Sequence, residues 1–220
     1  MGVSPDRDPG ILARGPWEPS KVGCTWREQP FEAGAEAEAE ADAAIAELRD
    51  RGSPSHDGLA ARLVTVEHTG TGRLELELEP VRWSLRLRGD AADSLSALCV
   101  VRDADGRWLA GRRAGWVASW AGRWALGAGG TVEVGENPAE TLVRELDEEW
   151  SVTPERISAE ALIRIPSGLV LFVGLAHVAA DTEVTMDPEH DAHAWWPRDP
   201  ADWPDEADPP LRLMARLLAG

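Results

Sequence analysis

The 220-residue sequence contains two cysteines, two phenylalanines, one lysine and no tyrosine. Cys24 and Cys99 are too few for a disulfide framework, so a reducing, cytoplasmic environment is the simplest interpretation. Basic residues are scarce: 22 Lys and Arg stand against 39 Asp and Glu, which gives a net charge of −17. Because proteins that bind nucleic acid neutralise its phosphates with Lys and Arg, we expect no nucleic-acid partner.

Long apolar segments are also missing. The first ten residues have no apolar signal core, and the longest apolar run, residues 169–180, is shorter than the roughly 20 residues that span a bilayer. We therefore expect neither a membrane protein nor a secreted one. Hydrophobic residues make up 43% of the chain, enough to bury a core. The eleven tryptophans are compatible with a buried interface, so a homodimer stays open.

The hydrophobic pattern divides the chain after residue 93. Residues 1–32 carry five prolines and are interpreted as an irregular arm, and residues 33–49 as an acidic helix. Residues 94–220 show strands, hairpins and two helices, a pattern typical of a mixed α/β sandwich. A small N-terminal β extension precedes this domain, with strands expected at 61–67, 74–78 and 82–88.

Residues 138–150 give the strongest helix prediction. Asn137 is a natural N-cap, Pro138 suits the first turn, and Glu140 completes a capping-box pattern. The helix then ends in a stretch of acidic side chains, which the helix dipole disfavours.

Three of these carboxylates share one face of the helix. Glu145 precedes Glu148 by three residues and Glu149 by four, and each such like-charge pair costs about 0.2–0.5 kcal/mol. A divalent ion such as Mg²⁺, which prefers oxygen ligands, reverses the sign of this interaction. The alternative is a solvated, Glu-rich surface helix, but such a helix does not need Gly130 and Glu136 at fixed distances upstream.

The segment 130–152 resembles the signature of the Nudix hydrolase family: Gly, five residues, Glu, seven residues, Arg-Glu, an aliphatic, any residue, Glu-Glu, any residue, Gly and an aliphatic. Ser151 stands where the family has Gly, and a left-handed Ser would cost about 1–2 kcal/mol, so we expect a loss of local stability and not of chemistry. The other eight of the nine specified positions match: Gly130, Glu136, Arg144, Glu145, Leu146, Glu148, Glu149 and Val152.

The resemblance implies a Nudix-type α/β/α sandwich and a hydrolase that uses Mg²⁺, for which Mn²⁺ can substitute. Its substrate would be a nucleoside diphosphate linked to another moiety, cleaved at the phosphoanhydride. By resemblance, Glu148 and Glu149 are the main metal ligands, and Glu145 is a further ligand or a base that orients water. Glu136 supports this group, and Arg144 orients the glutamates.

Two more ligands follow from the resemblance. One is the backbone carbonyl of Gly129. The other is an acidic residue from the loop before the last strand, where Glu183 and Glu189 are the candidates. Glu189 is preferred, although a solvated loop acid is the simpler interpretation.

Substrate contacts are predicted from the segment before the signature. One of the tryptophans could stack on a base or sugar, and an arginine could reach a phosphate. The candidates are Trp116, Trp120, Trp124, Arg112, Arg113 and Arg123, of which Trp116, Trp120, Arg112 and Arg123 are selected as substrate contacts. Core packing of the tryptophans and solvation of the arginines are the simpler alternatives. Pro166 resembles a feature of the ADP-ribose branch of the family, and the segment 57–83 loosely resembles a UDP-sugar-cleaving branch. Together they favour an ADP-ribose or nucleotide-sugar substrate.

Three other functions stay open. A nucleoside triphosphate pyrophosphohydrolase would use the same signature. An enzyme similar to isopentenyl-diphosphate isomerase would share the fold but needs a reactive cysteine in a polar loop, whereas Cys99 lies in an apolar strand and Cys24 in the arm. A non-catalytic sensor of a nucleotide ligand usually lacks the carboxylates that this chain keeps.

Overall fold

In the computed structural model, the described residues are 8–54, 57–69, 72–88 and 92–219. They form three α-helices: α1 (Ala35–Asp50), α2 (Pro138–Trp150) and α3 (Pro209–Leu218). Short 3₁₀ turns cover Pro19–Lys21, Trp83–Arg88 and Pro200–Asp202. The strands are β1 (Gly10–Trp17), β2 (Val22–Trp26), β3 (Leu59–Thr69), β4 (Arg73–Arg82), β5 (Leu95–Asp103), β6 (Trp108–Arg113), β7 (Trp124–Leu126), β8 (Ala128–Thr131), β9 (Arg156–Arg164), β10 (Val170–Val178) and β11 (His190–Trp196).

A mixed, eight-stranded sheet forms the centre of the molecule. Its main order is β1-β9-β10-β5-β6-β11, with β7 paired to β6 and β8 paired to β5. Strands β5 and β10 run parallel, and the other pairs are antiparallel. Helix α2 packs on one face through Leu142, Leu146 and Trp150, and α3 packs on the other through Leu211 and Ala215. The predicted α/β sandwich is therefore confirmed.

The N-terminal extension has a sheet of its own. Its three strands have the order β2-β4-β3, with β2 parallel to β4. The apolar side chains of this sheet, such as Leu63 and Leu76, belong to the same core as α2. Helix α1 buries Ala44, Ile45 and Leu48. The extension therefore adds a packed layer beside the central sheet.

Two local predictions are wrong. The expected irregular arm contains β1 and β2, and β1 pairs with β9, so it covers an edge of the central sheet. The alternation of apolar and polar residues in β1 is hard to recognise in the sequence, because Gly15 and Pro16 interrupt it. Trp17, at the end of the strand, is buried. Residues 82–88 were expected as a strand but end β4 and then form a 3₁₀ turn. At the start of this turn, the backbone N–H of Ser84 donates to the Asp57 carboxylate and not to a strand carbonyl.

Within the described residues, no helix combines the length and the apolar character that crossing a membrane requires. The structure also places Cys24 and Cys99 apart as free thiols.

Candidate active site

Helix α2 carries the acidic cluster, and its start is fixed by the predicted cap. The Asn137 side chain accepts from the backbone N–H of Ala139 at 3.0 Å, and the backbone N–H of Asn137 donates to Glu140 at 3.3 Å. The helix ends at Ser151, which adopts the left-handed conformation with φ 52° and ψ 42°. Both ends of the helix therefore lie where the sequence pattern predicts, and Ser151 occupies the conformation that favours glycine.

Arg144 lies at the centre of the carboxylates. Its Nε and Nη2 donate to Glu136 at 2.9 and 3.1 Å, and Nη1 donates to Glu145 at 2.8 Å and to Glu148 at 3.1 Å. Nη2 also donates to the carbonyl oxygen of Thr131, on β8. One guanidinium thus holds three glutamates of the signature and ties α2 to the sheet.

Glycine at position 130 is required by close packing. Strand β8 passes beneath α2, and a Cβ atom at Gly130 would overlap the Glu145 carboxylate. A side chain at 130 would therefore have to push this carboxylate out of its position beside β8. This contact explains why the glycine and the glutamate occur together, fifteen residues apart in the sequence.

Two of the clustered carboxylates are withdrawn from water. Side-chain exposure is 10% for Glu145 and 6% for Glu149, against 57% for Glu148. Burial raises the pKa of Glu145 to about 7 and that of Glu149 to about 9, despite the lowering effects of Arg144 and Arg113 respectively. The fold thus buries acids whose charged form is disfavoured unless a cation accompanies it.

The donor set fits a hard divalent cation. Glu145, Glu148 and Glu149 offer carboxylate oxygens, the ligands that Mg²⁺ prefers, and Oε2 of Glu149 is buried without a hydrogen-bond partner among the described residues. Across the same residues, no three Asp, Glu, His or Cys side chains already converge at metal-binding spacing. Arg144 lies between Glu145 and Glu148. A complete set of ligands therefore requires the exposed Glu148 side chain to turn.

The loop before β11 runs along the end of α2. The backbone N–H of Asp187 donates to the carbonyl oxygen of Glu149 at 3.0 Å. Glu189, the preferred additional acid, accepts from Nη2 of Arg113 at 2.8 Å, and Nη1 of the same arginine lies 3.6 Å from Glu149. Glu183 lies in the same loop and is exposed. Arg113 thus connects Glu189 to the acidic cluster.

Residues 93–218 match the family model described as NUDIX domain. The chain belongs to the NUDIX family. The resemblance of segment 130–152 to the Nudix signature is thereby confirmed, and with it the expectation of a pyrophosphohydrolase. A comparison with curated protein sequences gave no match.

Solved structures with a similar fold include three with low sequence identity. The MutT protein from Methanosarcina mazei is 24% identical, with a TM-score of 0.39, over 47% of this chain and 75% of that one. The NUDIX domain of NrtR from Shewanella oneidensis, solved with ADP ribose, is 21% identical, with a TM-score of 0.46, over 58% and 88%. An Ap4A hydrolase from C. elegans is 18% identical, with a TM-score of 0.43, over 56% and 92%.

A cavity of about 460 Å³ opens beside the Nudix signature. Gly129, Gly130, Glu149 and Arg113 line one side of it. A second cavity, of about 690 Å³, lies at the start of α2, and Glu136 and Arg144 line it. The lining of the second cavity includes none of the three clustered glutamates, so the first cavity is the one next to the predicted metal ligands.

Of the four substrate contacts selected from the sequence, only one lines this cavity. Trp120 lines the 460 Å³ cavity, whereas Trp116 is 39% exposed and does not line it. Arg112 pairs with Asp191 at 2.6 Å, and Arg123 pairs with Asp208 at 2.6 Å and lies over the ring of Trp120. Neither arginine is part of the cavity lining.

Other lining residues are not among the site residues selected from the sequence. They come from the extension and from β6 and β11: Trp83, Arg86, Leu87, Arg113 and His190. The sequence contained a signal for Arg113 and His190, since both lie in segments that flank the signature. The sequence contained no such signal for Trp83, Arg86 and Leu87, because the alternation of apolar and polar residues in 82–88 predicted a strand.

The structure also bears on the isomerase alternative. Cys99 is fully buried in β5, and burial raises the pKa of its thiol to about 12. Cys24 is half-buried and its Sγ lies 3.8 Å from the carbonyl oxygen of Glu136, outside the 460 Å³ cavity. Neither thiol is placed as a reactive cysteine in this Nudix domain.

Proposed function

We propose that this Nudix protein hydrolyses, with Mg²⁺ or Mn²⁺, the phosphoanhydride bond of a nucleoside diphosphate linked to a second moiety, such as ADP-ribose or a nucleotide sugar. One observation carries the proposal. The buried carboxylate of Glu149, with an oxygen that lacks a partner among the described residues, lines a cavity together with Gly129 and Gly130. Glu149 therefore faces a space large enough for a small molecule.

The chain supplies the ligands and their orientation. Glu148 and Glu149 are the main ligands in this proposal, with Glu145 and the carbonyl oxygen of Gly129 beside them. A divalent ion held by these groups would supply positive charge for the diphosphate and would make a water molecule more acidic. Arg144, held by Glu136, fixes the Glu145 carboxylate before substrate arrives, whereas Glu148 has to turn toward the ion.

Two further side chains have roles in the reaction. In this proposal Glu145, which lies beside Gly130, is a further metal ligand or a base that orients the attacking water. Arg113 lies on the cavity wall, where it supports Glu149 and offers positive charge to a leaving phosphate. In this proposal, Glu189 is an additional ligand that acts from the Arg113 side.

The shape of the cavity supports a substrate with a group beyond the diphosphate. Besides Glu149 and the two glycines, the lining includes Trp120 and a set of apolar side chains: Leu87, Ile165, Leu169, Leu171, Leu211 and Met214. Aromatic and aliphatic walls with a few polar groups are typical of sites that bind a base or a sugar ring. A nucleoside triphosphate is the second candidate, since it carries the same diphosphate unit.

The test is a substrate screen with purified protein and Mg²⁺. Each compound is incubated with the protein, and the products are separated by chromatography: ADP-ribose, UDP- and GDP-sugars, dinucleoside polyphosphates and nucleoside triphosphates. The proposal expects a nucleoside monophosphate and a phosphorylated second moiety from ADP-ribose or a nucleotide sugar. Release of pyrophosphate from triphosphates alone would support the second candidate. No Mg²⁺-dependent product from any compound would contradict both.

A further inference from the structure

The ring of His190 lies on the wall of the 460 Å³ cavity, beside Glu149. Its side chain is only 1% exposed, and Nε2 has no hydrogen-bond partner among the described residues. A buried polar atom without a partner costs about 1–3 kcal/mol. Burial of Nε2 is therefore unfavourable unless a ligand accompanies it.

The atom that Nε2 faces is unsatisfied as well. Oε2 of Glu149 lies 4.0 Å from Nε2, beyond the reach of a hydrogen bond, and it has no partner within the described part of the chain. Arg113 approaches the other oxygen of this carboxylate, with Nη1 3.6 Å from Oε1. A ring nitrogen and a carboxylate oxygen, both buried, thus face one another at the cavity wall.

Asp187 determines which ring nitrogen of His190 carries the proton. Its Oδ1 lies 3.1 Å from Nδ1, and since an ionised carboxylate can only accept, Nδ1 is the donor. Nε2 of the neutral ring then holds its lone pair on the side of Glu149. Histidines that bind a metal ion through one ring nitrogen usually donate the other N–H to a carboxylate or a carbonyl, which is the arrangement of Asp187 and His190.

Packing keeps the ring in this orientation. The rings of His190 and Trp150 are 4.6 Å apart, and Trp150 directly follows Glu149 on α2. On the side of β6, a Cβ at Gly111 would lie 2.6 Å from Cδ2 of His190, so the strand backbone is in close contact with the ring. The nitrogen is therefore fixed by its surroundings, as a preorganised ligand requires.

The separation of the two facing atoms suits one ion between them. Nitrogen and oxygen ligands that each lie about 2.1 Å from a divalent metal are about 3.0 Å apart at a right angle and about 4.2 Å apart on opposite sides. The observed 4.0 Å falls within this range. Mg²⁺ prefers oxygen ligands, whereas imidazole suits divalent transition metals. A nitrogen ligand at this position would therefore favour transition metals.

We propose that Nε2 of His190 is a ligand of the metal ion that Glu149 holds, and that this nitrogen makes the site prefer divalent transition metals to Mg²⁺. The inference rests on the proposed function, since it concerns the same ion. His190 and Glu149 supply two of the ligands, and Glu148 adds a further one when it turns. Asp187 is a positioning residue, which acts on the ion only through His190.

The first experiment is electron spin-echo spectroscopy of Mn²⁺ bound to the whole chain, which detects a nitrogen nucleus bonded directly to the ion. The wild type should show this nitrogen signal. His190→Asn should lose it, because asparagine can still donate to Asp187 but does not reach the position of Nε2. His193→Asn changes an exposed histidine on the same strand and is the matched control, which should keep the signal. A wild-type spectrum without bound nitrogen overturns the inference, whether or not the variants fold.

Calorimetry of ion binding distinguishes a ligand from a residue that only supports the fold. His190→Asn should weaken Co²⁺ binding at least tenfold, since loss of a residue that merely orients a ligand already costs about 10–100-fold. The affinity for Mg²⁺ should change less than about threefold, because its preferred ligands are oxygens. His190→Gln, whose amide oxygen can reach the position of Nε2, should keep Mg²⁺ and lose the preference for Co²⁺. Asp187→Ala should also weaken Co²⁺ more than Mg²⁺.

Four outcomes decide the inference. Equal losses of Co²⁺ and Mg²⁺ in His190→Asn would mean that the ring only supports α2, which overturns it. Unchanged affinity for both ions with slower turnover would place His190 on the water or the substrate, and this overturns it too. If the wild type binds neither ion, the proposed metal site falls together with the inference. If the wild type shows the nitrogen signal but hydrolyses none of the screened compounds, the proposed reaction falls and the ligand role stands.

Discussion

The Oε2 atom of Glu149 lies 4.0 Å from Nε2 of His190, and both atoms are buried without a hydrogen-bond partner among the described residues. His190 is held in place by Asp187, whose Oδ1 is 3.1 Å from Nδ1, and by the ring of Trp150 at 4.6 Å. When Nδ1 donates to Asp187, Nε2 is an acceptor, and the ionised form of Glu149 is a second acceptor facing it. A buried unsatisfied acceptor costs about 1–3 kcal/mol, which a bound cation relieves.

The glutamates on α2 can be tested against a neighbour on the same helix. Glu148→Gln and Glu149→Gln should each lower Mg²⁺-dependent turnover roughly a hundredfold or more, because a metal ligand supplies several kcal/mol of charge stabilisation. Asp147→Asn makes the same change at an exposed position and should leave turnover unchanged. Rates and thermal stability are measured for all three. Near-normal rates in both glutamine variants would contradict the metal role.

Replacement of Glu189 should lower turnover less than replacement of Glu149. It is 41% exposed and bonded to Arg113, so Glu189→Ala should lower turnover only severalfold. Asp181→Ala, an exposed acid in the same loop, is the control and should have no effect. Steady-state kinetics at several Mg²⁺ concentrations give the comparison. A loss as complete as that of Glu149→Gln would show that Glu189 is a required ligand.

Gly130→Ala should lower activity although it substitutes none of the carboxylates. The added Cβ overlaps the Glu145 side chain and must displace it, and misplacement of a catalytic group by about 1 Å can cost as much as a hundredfold in rate. We expect kcat/KM to fall at least tenfold while the protein stays folded. Gly115→Ala is the control, since a Cβ there meets no atom within 4 Å. Equal kinetics for the two variants would argue against the packing explanation.

Ser151→Gly should stabilise the protein. The left-handed conformation costs a non-glycine residue about 1–2 kcal/mol, and glycine removes this cost. The greater conformational freedom of glycine in the unfolded chain offsets part of this stabilisation. The net increase in the free energy of unfolding should be about 0.5–1 kcal/mol, measured by denaturant titration. Ser151→Ala should give no increase. Activity should not change, because Ser151 makes its backbone bond to Asp147 and lies outside the cavity lining.

Asp57 should contribute stability that depends on pH. Burial alone would raise the pKa of Asp57, but hydrogen bonds from Arg82 and Ser84 outweigh it and lower the pKa below the ordinary value of 3.8. A group with a lowered pKa stabilises the fold above its unfolded value and loses this effect as pH falls through the folded value. The difference in unfolding free energy between the wild type and Asp57→Asn should therefore be full near pH 6 and shrink below pH 3.8. A difference that stays constant down to pH 2 would contradict the ion pair.

Local sequence patterns predicted helix α2 and its chemistry. The cap at Asn137, the spacing of Glu145, Glu148 and Glu149 and the glycine at 130 are properties of neighbouring residues, so helical geometry alone brings them into a known arrangement. The same patterns predicted the mixed α/β sandwich but missed strand β1, which Gly15 and Pro16 interrupt.

Only the tertiary structure decided which side chains reach the cavity. Arg112 and Arg113 are adjacent in β6, but successive side chains of a strand point to opposite faces, and only Arg113 lines the site. Arg86 joins it through Thr131, 45 residues later in the sequence, because pairing of β5 with β8 places that hydroxyl under the turn. Such contacts depend on how distant elements pack, and the packing is set by the whole hydrophobic core and not by a local pattern.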